Sequence, residues 1–283
     1  MSDGLNTVLI VEGGAMRSVF SAGLLDGFLK NNFNPFNYYI GVSAGASNLA
    51  SFLANDLGKS IHIYLNLATD SKFINYRQFL RGSHLINLDW LCQEIFRQKY
   101  LSNNTTYYSE KPLYVCTTVI ATGKAVFTRL DNENMEPLLK ASMALPLLYN
   151  GFPLLNSRSM TDSGIASNLP IGEAIRRGAK KIMVVRSRHP SYIKKDTIVH
   201  QFIRWRLKRY PELVKTMQQR VQQHEETTRL IHNPPKGVCV VDIYPPETFK
   251  IGRFCQNKHK LLVGYNAGLV AAKPAIKQWK LYK

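Results

Sequence analysis

The sequence predicts an α/β protein with a central, mostly parallel β-sheet covered by helices. Short runs of β-branched, aliphatic and aromatic residues alternate with segments in which apolar residues recur at helical spacing. A chain of 283 residues that is 45% hydrophobic can bury one substantial core. We find no internal repeat and no low-complexity segment. The predicted strands are Thr7–Val11, Tyr38–Val42, Leu113–Val119, Ala125–Arg129, 181–186 and 237–243.

A glycine loop follows the first predicted strand, Thr7–Val11, and precedes a segment of helical apolar spacing over residues 19–29. Gly13 and Gly14 lie in this loop, which directs backbone N–H groups outward. Such amides either cradle a phosphate or stabilise the oxyanion that forms when a nucleophile attacks an acyl carbonyl. The phosphate-binding patterns G-x-x-x-x-G-K-[ST] and G-x-G-x-x-G are both absent. The loop therefore favours an oxyanion hole, with an ordinary glycine turn as the alternative.

Ser43 lies where the second predicted strand, Tyr38–Val42, meets a helix-forming segment over residues 46–54. Gly41 and Gly45 flank it in a G-x-S-x-G pattern. A tight turn crowds any Cβ two residues away, and strand and helix must pack closely behind an exposed Oγ. Amides at the start of the helix would favour negative charge on that oxygen. The pattern indicates a nucleophilic serine, although a turn of small residues gives the same letters.

A carboxylate lies in a third loop, at Asp162. The Asp-Ser-Gly sequence that begins there is typical of a turn, and Pro170 begins a short helical segment over residues 171–177. An unperturbed aspartate, with a pKa of about 3.9, is a weak base for a serine. Catalysis would therefore require that burial raise the pKa of Asp162 or that local dipoles ease ionisation of the serine. The alternative is that Asp162 forms the turn by bonding its own backbone.

Together and in this order, these segments resemble those of the patatin-like phospholipases, a family of serine–aspartate lipid acyl hydrolases. The matched segments are residues 12–18 (EGGAMRS) for the family's D-G-G-G-x-R-G, 41–45 (GVSAG) for G-x-S-x-G, 141–146 (ASMALP) for A-S-x-A-x-P, and 162–164 (DSG) with 168–170 (NLP) for D-G-[GA] followed by N-x-P. The resemblance spans roughly residues 7–187 and continues more weakly to residue 268.

The resemblance implies a three-layer fold in which a mostly parallel sheet lies between helices. It also implies Ser43 as the nucleophile, Asp162 as its base partner and Gly164 as part of the base motif. The remaining implied site residues are Gly13, Gly14 and Ala15 of the oxyanion loop, and Arg17, whose charge would lie near the oxyanion or a substrate phosphate. The expected activity is hydrolysis of fatty-acyl esters of the phospholipase A type.

Three positions depart from the family's pattern. Glu12 stands where the family has aspartate, and Ser163 replaces the glycine that follows the base; both changes are mild. Ala15 replaces the third glycine of the loop, and alanine does not easily adopt a positive φ. Because this change could misdirect one oxyanion donor, a catalytically weak protein that binds lipid surfaces is an alternative to the enzyme.

Charge is unevenly distributed along the chain. The 37 Lys and Arg residues against 19 Asp and Glu residues give a formal net charge of +18, which points to anionic partners. We divide the chain into a catalytic core over residues 1–190, a basic amphipathic helical segment over 191–236, and a C-terminal strand and helix over 237–283 that complete the same domain. The basic segment contains Lys194, Lys195, Arg204, Trp205, Arg206, Lys208 and Arg209.

The basic segment is predicted to present an apolar helix face away from much of its charge. That face comprises Ile198, Val199, Phe202, Ile203 and Tyr210. A helix that lies on an anionic membrane surface has this pattern, and so does a helix whose apolar face packs on its own domain. The expected partners are a fatty-acyl ester or phospholipid substrate and a peripheral anionic membrane surface. No nucleic-acid-binding motif is present, so no nucleic-acid partner is expected.

A second esterase scheme is compatible with the order of the residues. Ser43 and Asp162, completed by His189, follow the order serine, acid, histidine of α/β-hydrolases. We rank this triad second because a single helix separates the glycine loop from the nucleophile, and because the Asp162 segment with its Asn-x-Pro has no role in a triad.

The remaining features concern location and cofactors. The first residues do not form a signal peptide and no apolar run reaches the length that spans a bilayer, so we expect a cytoplasmic protein, peripheral on the inner face of the membrane. The four cysteines lack C-x-x-C spacing and the seven histidines are scattered, so we expect reduced thiols, no metal and no cofactor. The stretch over residues 64–90 is predicted either as a lid or as a surface helix.

Overall fold

A computed structural model describes residues 6–81, 83–98, 101, 110–149, 151–192 and 198–281, with the side chains of 198–200 outside that description. The strands in this part of the chain are β1 Thr7–Val11, β2 Tyr38–Val42, β3 Leu113–Val119, β4 Ala125–Arg129, β5 Leu154–Leu155, β6 Arg158–Thr161, β7 Lys181–Val185 and β8 Cys239–Ile243.

The helices are α1 Val19–Lys30, α2 Ala44–Leu53, α3 Lys59–His62, α4 Tyr76–Leu80, α5 Leu88–Arg97, α6 Met135–Met143, α7 Ile171–Arg176, α8 Ile198–Arg206, α9 Pro211–Gln218, α10 Arg220–His232 and α11 Lys258–Leu281. A 3₁₀ turn over Ala15–Ser18 precedes α1, and a π-helical turn over Ile63–Leu67 follows α3. In the described part of the chain, no helix has both the length and the hydropathy needed to cross a bilayer.

All these strands form one mixed sheet in the order β5-β6-β3-β2-β1-β7-β8, with β4 paired to β3. The neighbours from β3 to β8 in this order are parallel, and the pairs β3–β4, β3–β6 and β5–β6 are antiparallel. The α/β prediction with a mostly parallel, helix-covered sheet is therefore confirmed. Because parallel neighbours point the same way, the carboxyl ends of β1, β2 and β7 meet at one edge, where open α/β sheets bind ligands.

Helices cover both faces of the sheet, and β1 illustrates why its sequence is continuously apolar. Leu9 and Val11 pack into the cluster that contains residues of α1, α2, α6 and α11, whereas Val8 and Ile10 pack against residues of α7 and α10. All four side chains are fully buried, as the two-residue period of a strand inside a three-layer core requires. Burial of this kind supplies the main stabilisation of the layer, at roughly 1.5–3 kcal/mol per large aliphatic side chain.

The C-terminal strand and helix belong to this same core. β8 pairs along its whole length with β7, and α11 packs on α1. Gly23 of α1 and Gly268 of α11 make the close approach possible, because a Cβ on either residue would collide with the backbone of the other helix. Residues 239–281 therefore share their core with the N-terminal half.

The structure differs from the predicted elements in three places. β7 ends at Val185 and β8 begins at Cys239, so both are shorter than predicted. The short strands β5 and β6 were not predicted, because β6 reads RSMT and carries no continuous apolar signal. The single apolar face predicted from Ile198 to Tyr210 is wrong, because α8 ends at Arg206 and Pro211 begins α9.

Two parts of the basic-segment prediction fall outside the described residues. Lys194 and Lys195 lie within the undescribed residues 193–197, and the side chains of Ile198 and Val199 are likewise not described. The described rest of the segment forms three helices, α8, α9 and α10.

Candidate active site

Ser43 occupies a sharp turn between β2 and α2. Its backbone has φ 51° and ψ −129°, an unusual conformation for a residue with a side chain. Gly41 and Gly45 allow this turn: a Cβ at Gly41 would lie 2.4 Å from the Cα of Ala46, and one at Gly45 would lie 2.5 Å from the carbonyl oxygen of Val11. The turn therefore holds Ser43 at the carboxyl edge of the sheet, at the N-terminus of a helix.

Asp162 follows β6 directly and contacts Ser43. The Oγ of Ser43 donates a hydrogen bond of 2.8 Å to Oδ2 of Asp162. The other carboxylate oxygen, Oδ1, accepts from the amide of Gly164 at 2.8 Å. The hydroxyl of Thr118 donates to the carbonyl oxygen of Asp162 at 2.9 Å, which ties this residue to the end of β3. The carboxylate is therefore held with one oxygen on the serine and the other on backbone.

The environment of Asp162 favours its protonated form more than water does. Its side chain is 5% exposed, and burial raises the pKa above the usual aspartate value. The hydrogen bonds from Ser43 and Gly164, and the more distant charges of Arg253 and Arg220, act in the opposite direction without cancelling the effect of burial. A carboxylate with a raised pKa is a stronger base than a free aspartate, which is the property that proton transfer from a serine requires.

The glycine loop lies beside Ser43 and is fixed to the end of β7. A Cβ on Gly13 would lie 2.7 Å from the Cβ of Ser43, so only glycine fits there. The amide of Ser187 donates to Oε2 of Glu12 at 2.6 Å, and the Ser187 hydroxyl donates to the carbonyl oxygen of Gly13 at 3.1 Å. Among the described residues, no acceptor takes a hydrogen bond from the amides of Gly13, Gly14 or Ala15. These amides are therefore available to an external oxygen.

Ala15 adopts the conformation that its side chain disfavours. Its φ is 50°, in the left-handed region where glycine is the usual residue. Alanine at this position therefore holds a backbone conformation that favours glycine. It leaves a local strain on the order of 1–2 kcal/mol.

Arg17, in the 3₁₀ turn after the loop, is buried, and one of its side-chain nitrogens has no hydrogen-bond partner among the described residues. Its side chain is 6% exposed, and that nitrogen is Nε. Burial, followed by the charges of Arg253 and Arg188, lowers the pKa of Arg17 to about 9, while Glu12 acts in the opposite direction.

Two cavities meet at Ser43. The first is narrow and apolar, about 80 Å³, and is lined mainly by residues such as Ile63, Ile74, Ile86, Leu91, Ile95 and Met143. The second is a larger groove of about 320 Å³ that contains the glycine loop and Asp162. Its other side includes Phe202, Met217 and Arg220 from helical segments and Arg253 from the loop before α11. A molecule with an apolar chain and a polar group joined at the reacting bond matches this arrangement.

A family model described as patatin-like phospholipase matches residues 9–175 of the chain. The chain belongs to this family. Residues 210–282 match a second family model, described as a domain of unknown function.

Two curated proteins are similar to this member of the patatin-like phospholipase family. The uncharacterized protein YjjU of Escherichia coli (strain K12) is 30% identical over 276 residues, which cover 90% of this chain and 77% of that protein. The probable lipid hydrolase 463L of Invertebrate iridescent virus 6 is 27% identical over 201 residues, which cover 61% of this chain and 64% of that protein. Among solved structures, VipD from Legionella pneumophila aligns over 97% of this chain and 67% of that chain at 11% identity, with a TM-score of 0.49.

His189 does not join the two residues of the predicted triad. Its Nδ1 is paired with the hydroxyl of Ser191 at 2.8 Å, and its ring stacks edge to face on Tyr244 with centroids 5.2 Å apart. A triad histidine must lie between the serine and the acid, whereas here the serine donates directly to the carboxylate.

The predicted residues at positions 204–206, 208 and 209 line neither cavity, but they lie on or just after α8, which contributes Phe202 to the groove. Arg204 is half-buried, and the exposed members of the set are Trp205, Arg206, Lys208 and Arg209. Phe202 lines the groove and packs against Trp205, with ring centroids 5.7 Å apart. Ile203 also lines the groove and packs inward near Leu207 and Leu213. The apolar side of this segment is therefore partly buried on the protein and partly exposed beside the groove.

A pair of serines that the sequence did not point to supports the turn at Ser43 in this family member. The amide of Ser43 donates to Oγ of Ser142 at 3.0 Å, and the hydroxyls of Ser142 and Ser163 are 3.2 Å apart. Both hydroxyl residues are fully buried. The serine that replaces the family's glycine at position 163 thus joins the nucleophile turn to the Asp162 loop. The signal for Ser142 was its place in the matched ASMALP segment.

The stretch over residues 64–90, predicted as a lid or a surface helix, contains the exposed helix α4 and also contributes to the wall of the apolar cavity. Tyr64, Phe73, Ile74, Ile86 and Leu88 line it. Their apolar spacing carried no signal that distinguished a cavity wall from ordinary core.

Proposed function

We propose that this protein is a lipid acyl hydrolase of the phospholipase A type, with Ser43 as nucleophile and Asp162 as its base. Membership of the patatin-like phospholipase family supports a hydrolase that acts on lipid esters. The assignment of Ser43 and Asp162 as a catalytic pair is based on the 2.8 Å hydrogen bond between them, at the junction of an apolar cavity and a polar groove.

In the first half of the proposed reaction, Asp162 Oδ2 takes the proton of the Ser43 hydroxyl. The Oγ attacks the ester carbonyl, and the carbonyl oxygen becomes an oxyanion that accepts hydrogen bonds from the amides of Gly13, Gly14 and Ala15. Collapse of this intermediate breaks the bond to the alcohol, which leaves with the proton held by Asp162. The acyl chain remains attached to Ser43 and lies in the apolar cavity.

In the second half, Asp162 takes a proton from water as the water oxygen attacks the acyl-enzyme. The same loop amides stabilise the second oxyanion, and the fatty acid leaves as Ser43 regains its proton. Removal of one oxyanion-hole donor from a serine hydrolase raises the activation free energy by about 2.7–4 kcal/mol.

The helical side of the groove supports action at a lipid surface. Phe202 is 56% exposed and Trp205 is 59% exposed, and Leu80, on the short helix α4 next to the groove residue Phe79, is 85% exposed. Basic residues adjoin the two aromatic rings, so this side combines side chains that insert into lipid with charges that attract anionic headgroups. We place the protein on the cytoplasmic face of a membrane.

The test is hydrolysis of a short-chain p-nitrophenyl ester and of phosphatidylglycerol vesicles by wild type and Ser43→Ala. We expect Ser43→Ala to lose at least about a hundredfold in rate on both substrates with an unchanged circular dichroism spectrum. Ser51→Ala, a buried serine on the same helix α2, is the matched control and should keep wild-type rates.

His189→Ala separates the dyad from the triad in the same assay. Because the ring contacts neither Ser43 nor Asp162 by hydrogen bond, we expect a rate within about twofold of wild type. Loss of turnover in a folded His189→Ala variant would favour the triad. A wild type that is inert on both substrates yet sediments with vesicles would favour a lipid-surface binding protein.

A further inference from the structure

The C-terminal region, which matches a domain of unknown function, reaches the candidate active site. Met217 and Arg220 from its helices line the groove, and so do Arg253 and Phe254 from the loop that precedes α11. The amide of Met16, in the turn after the glycine loop, donates to the carbonyl oxygen of Arg253 at 3.3 Å. Arg253 and Phe254 also line the apolar cavity, so they stand where the two cavities meet.

Three arginines are concentrated around the glycine loop. Arg253 and Arg188 are near enough to Arg17 that their charges lower its pKa in addition to the effect of burial. Burial also lowers the pKa of Arg188, and the charge of Arg253 adds to that decrease. The guanidinium group of Arg188 is stacked on the ring of Tyr192 at 3.5 Å, which fixes its place.

In the described part of the chain, opposing charge near these arginines is limited to Glu12, which acts on Arg17 and Arg188, and Asp162, which interacts with Arg253. Among the described residues, no carboxylate forms an ion pair with Arg17, Arg188 or Arg253. Glu12 is nearby, but its Oε2 accepts the amide of Ser187. Like charges held this close repel one another, so the cluster favours an anionic ligand.

We propose that Arg253, together with Arg17, which also lines the groove, binds the phosphate of an anionic phospholipid substrate, and that the C-terminal region thereby selects the substrate class. This inference rests on the proposed lipid acyl hydrolase. Arginine suits the role because its planar guanidinium group donates two parallel hydrogen bonds to phosphate oxygens.

The position of Arg253 agrees with the covalent structure of such a lipid. In a glycerophospholipid the phosphate is carried on the same three-carbon glycerol unit as the scissile ester. When the acyl chain lies in the apolar cavity and its ester lies at Ser43, the phosphate must lie within a few bonds of Ser43. Arg253 is half-buried and lines both cavities, so it lies in the region where we expect the phosphate.

The first test compares two lipids with identical acyl chains, phosphatidylglycerol and diacylglycerol, dispersed in excess non-ionic detergent micelles. The micelles remove the charged membrane surface, so only the headgroup differs. We expect Arg253→Gln to lower kcat/KM for phosphatidylglycerol by about tenfold or more and to leave diacylglycerol within about twofold. Arg253→Lys keeps the positive charge but loses the planar pair of hydrogen-bond donors. Its kcat/KM for phosphatidylglycerol should therefore lie between those of wild type and Arg253→Gln.

Lys250→Ala is the matched control, because it removes an exposed cation from the same loop and should leave both rates unchanged. An equal loss on both lipids in a folded Arg253→Gln variant, or no loss on phosphatidylglycerol, would overturn the proposal. Inorganic phosphate provides a further arm as an inhibitor of p-nitrophenyl ester hydrolysis. Phosphate could inhibit wild type but not Arg253→Gln, while both proteins show the same preference between the two lipids. In that case the cluster binds free anions, and the headgroup assignment is overturned.

A binding measurement keeps this inference separate from the proposed chemistry. In the Ser43→Ala background, calorimetry with monomeric dihexanoyl phosphatidylglycerol should show affinity reduced about tenfold by Arg253→Gln. Equal affinity with and without Arg253 would overturn the headgroup site even if turnover depends on Ser43. Conversely, headgroup binding that depends on Arg253 in a protein without esterase activity would contradict the proposed function and leave the phosphate site standing.

Discussion

The two walls of the groove at Ser43 are built in different ways. One, the sheet wall, consists of Gly13, Ser43 and Asp162 on loops at the ends of strands, where side chains are buried and tied by hydrogen bonds. The other, the helical wall, consists of Phe202, Met217, Arg220, Arg253 and Phe254, which come from α8 to α10 and the loop before α11. It exposes large aromatic surface and carries positive charge.

The contrast separates chemistry from substrate delivery. Strand ends hold atoms to within a few tenths of an ångström, which proton transfer and oxyanion stabilisation require. Helices and loops carry apolar and basic groups that contact an extended lipid surface, where such accuracy is unnecessary. Changes in the sheet wall should therefore affect every ester, and changes in the helical wall should affect aggregated or phosphate-bearing substrates selectively.

Asp162→Asn gives the largest expected effect. Asparagine still accepts a hydrogen bond from Ser43 but cannot take its proton, so turnover of soluble and aggregated esters should fall by about 10²–10⁴-fold. In wild type, kcat/KM should fall as pH decreases through the raised pKa of Asp162, above the ordinary value of about 3.9. A p-nitrophenyl ester assay measures the loss of turnover in Asp162→Asn, and its pH profile in wild type measures the dependence on the pKa of Asp162.

Stability should change in the opposite direction from activity. Because folding raises the pKa of Asp162, the folded protein binds this proton more tightly than the unfolded chain does. Its contribution to the free energy of unfolding therefore decreases as pH rises from the ordinary pKa to the raised one, and stays low above it. Asp162→Asn should raise Tm at neutral pH and lose that gain below the ordinary pKa.

Asp26→Asn is the control for the opposite effects of Asp162→Asn on stability and activity. Asp26 is another buried aspartate whose pKa burial raises, and its carboxylate accepts from the hydroxyl of Tyr265, away from Ser43. Its replacement should leave turnover unchanged. Normal activity of Asp162→Asn would contradict the assignment of Asp162 as the base.

The double change Phe202→Ser with Trp205→Ser tests the helical wall. Removal of two exposed aromatic rings should lower hydrolysis of anionic vesicles by about thirtyfold, because each ring contributes on the order of 1 kcal/mol when buried in lipid. Hydrolysis of a soluble short-chain ester should stay within about twofold of wild type. Co-sedimentation with vesicles at rising salt measures the charge contribution, which salt should weaken.

Val270→Ser serves as the control, because Val270 is 76% exposed on α11 and lies outside both cavities. Equal losses on vesicles and on the soluble ester would assign Phe202 and Trp205 to the chemistry and blur the distinction between the walls.

Ala15→Gly gives the smallest expected effect. Glycine adopts φ near 50° without strain, so the variant should gain about 0.5–1 kcal/mol in the free energy of unfolding, measured by urea denaturation. Because the loop already has this conformation, activity should change by less than about threefold. An increase of a hundredfold or more would instead mean that alanine had disabled the oxyanion loop, as the lipid-surface binding alternative requires.

The sheet wall was the part that sequence could predict. A strand, a glycine-flanked serine and a helix follow one another within residues 38–54, so local pattern alone placed Ser43 at a strand end. The pairing of Ser43 with Asp162 joins residues 119 positions apart and depended on the family resemblance. Its assignment as a catalytic pair stays a prediction.

The helical wall and the apolar cavity could not be predicted, for physical reasons. Ile74 and Ile86 line the cavity, yet an apolar side chain in a core has the same sequence signature as one in a cavity wall. Arg253 is a single arginine in a loop, and only the fold places it beside residues near the N-terminus. β6 was not predicted because a short strand with three polar positions out of four lacks a clear period.

The most direct measurement is covalent labelling with an alkyl fluorophosphonate, followed by intact mass and peptide mapping. We expect one adduct on wild type, located at Ser43, no adduct on Ser43→Ala, and labelling slowed about a hundredfold or more in Asp162→Asn. An adduct on another residue, or full esterase activity in a protein whose Ser43 is blocked, would contradict the assignment of Ser43 as nucleophile.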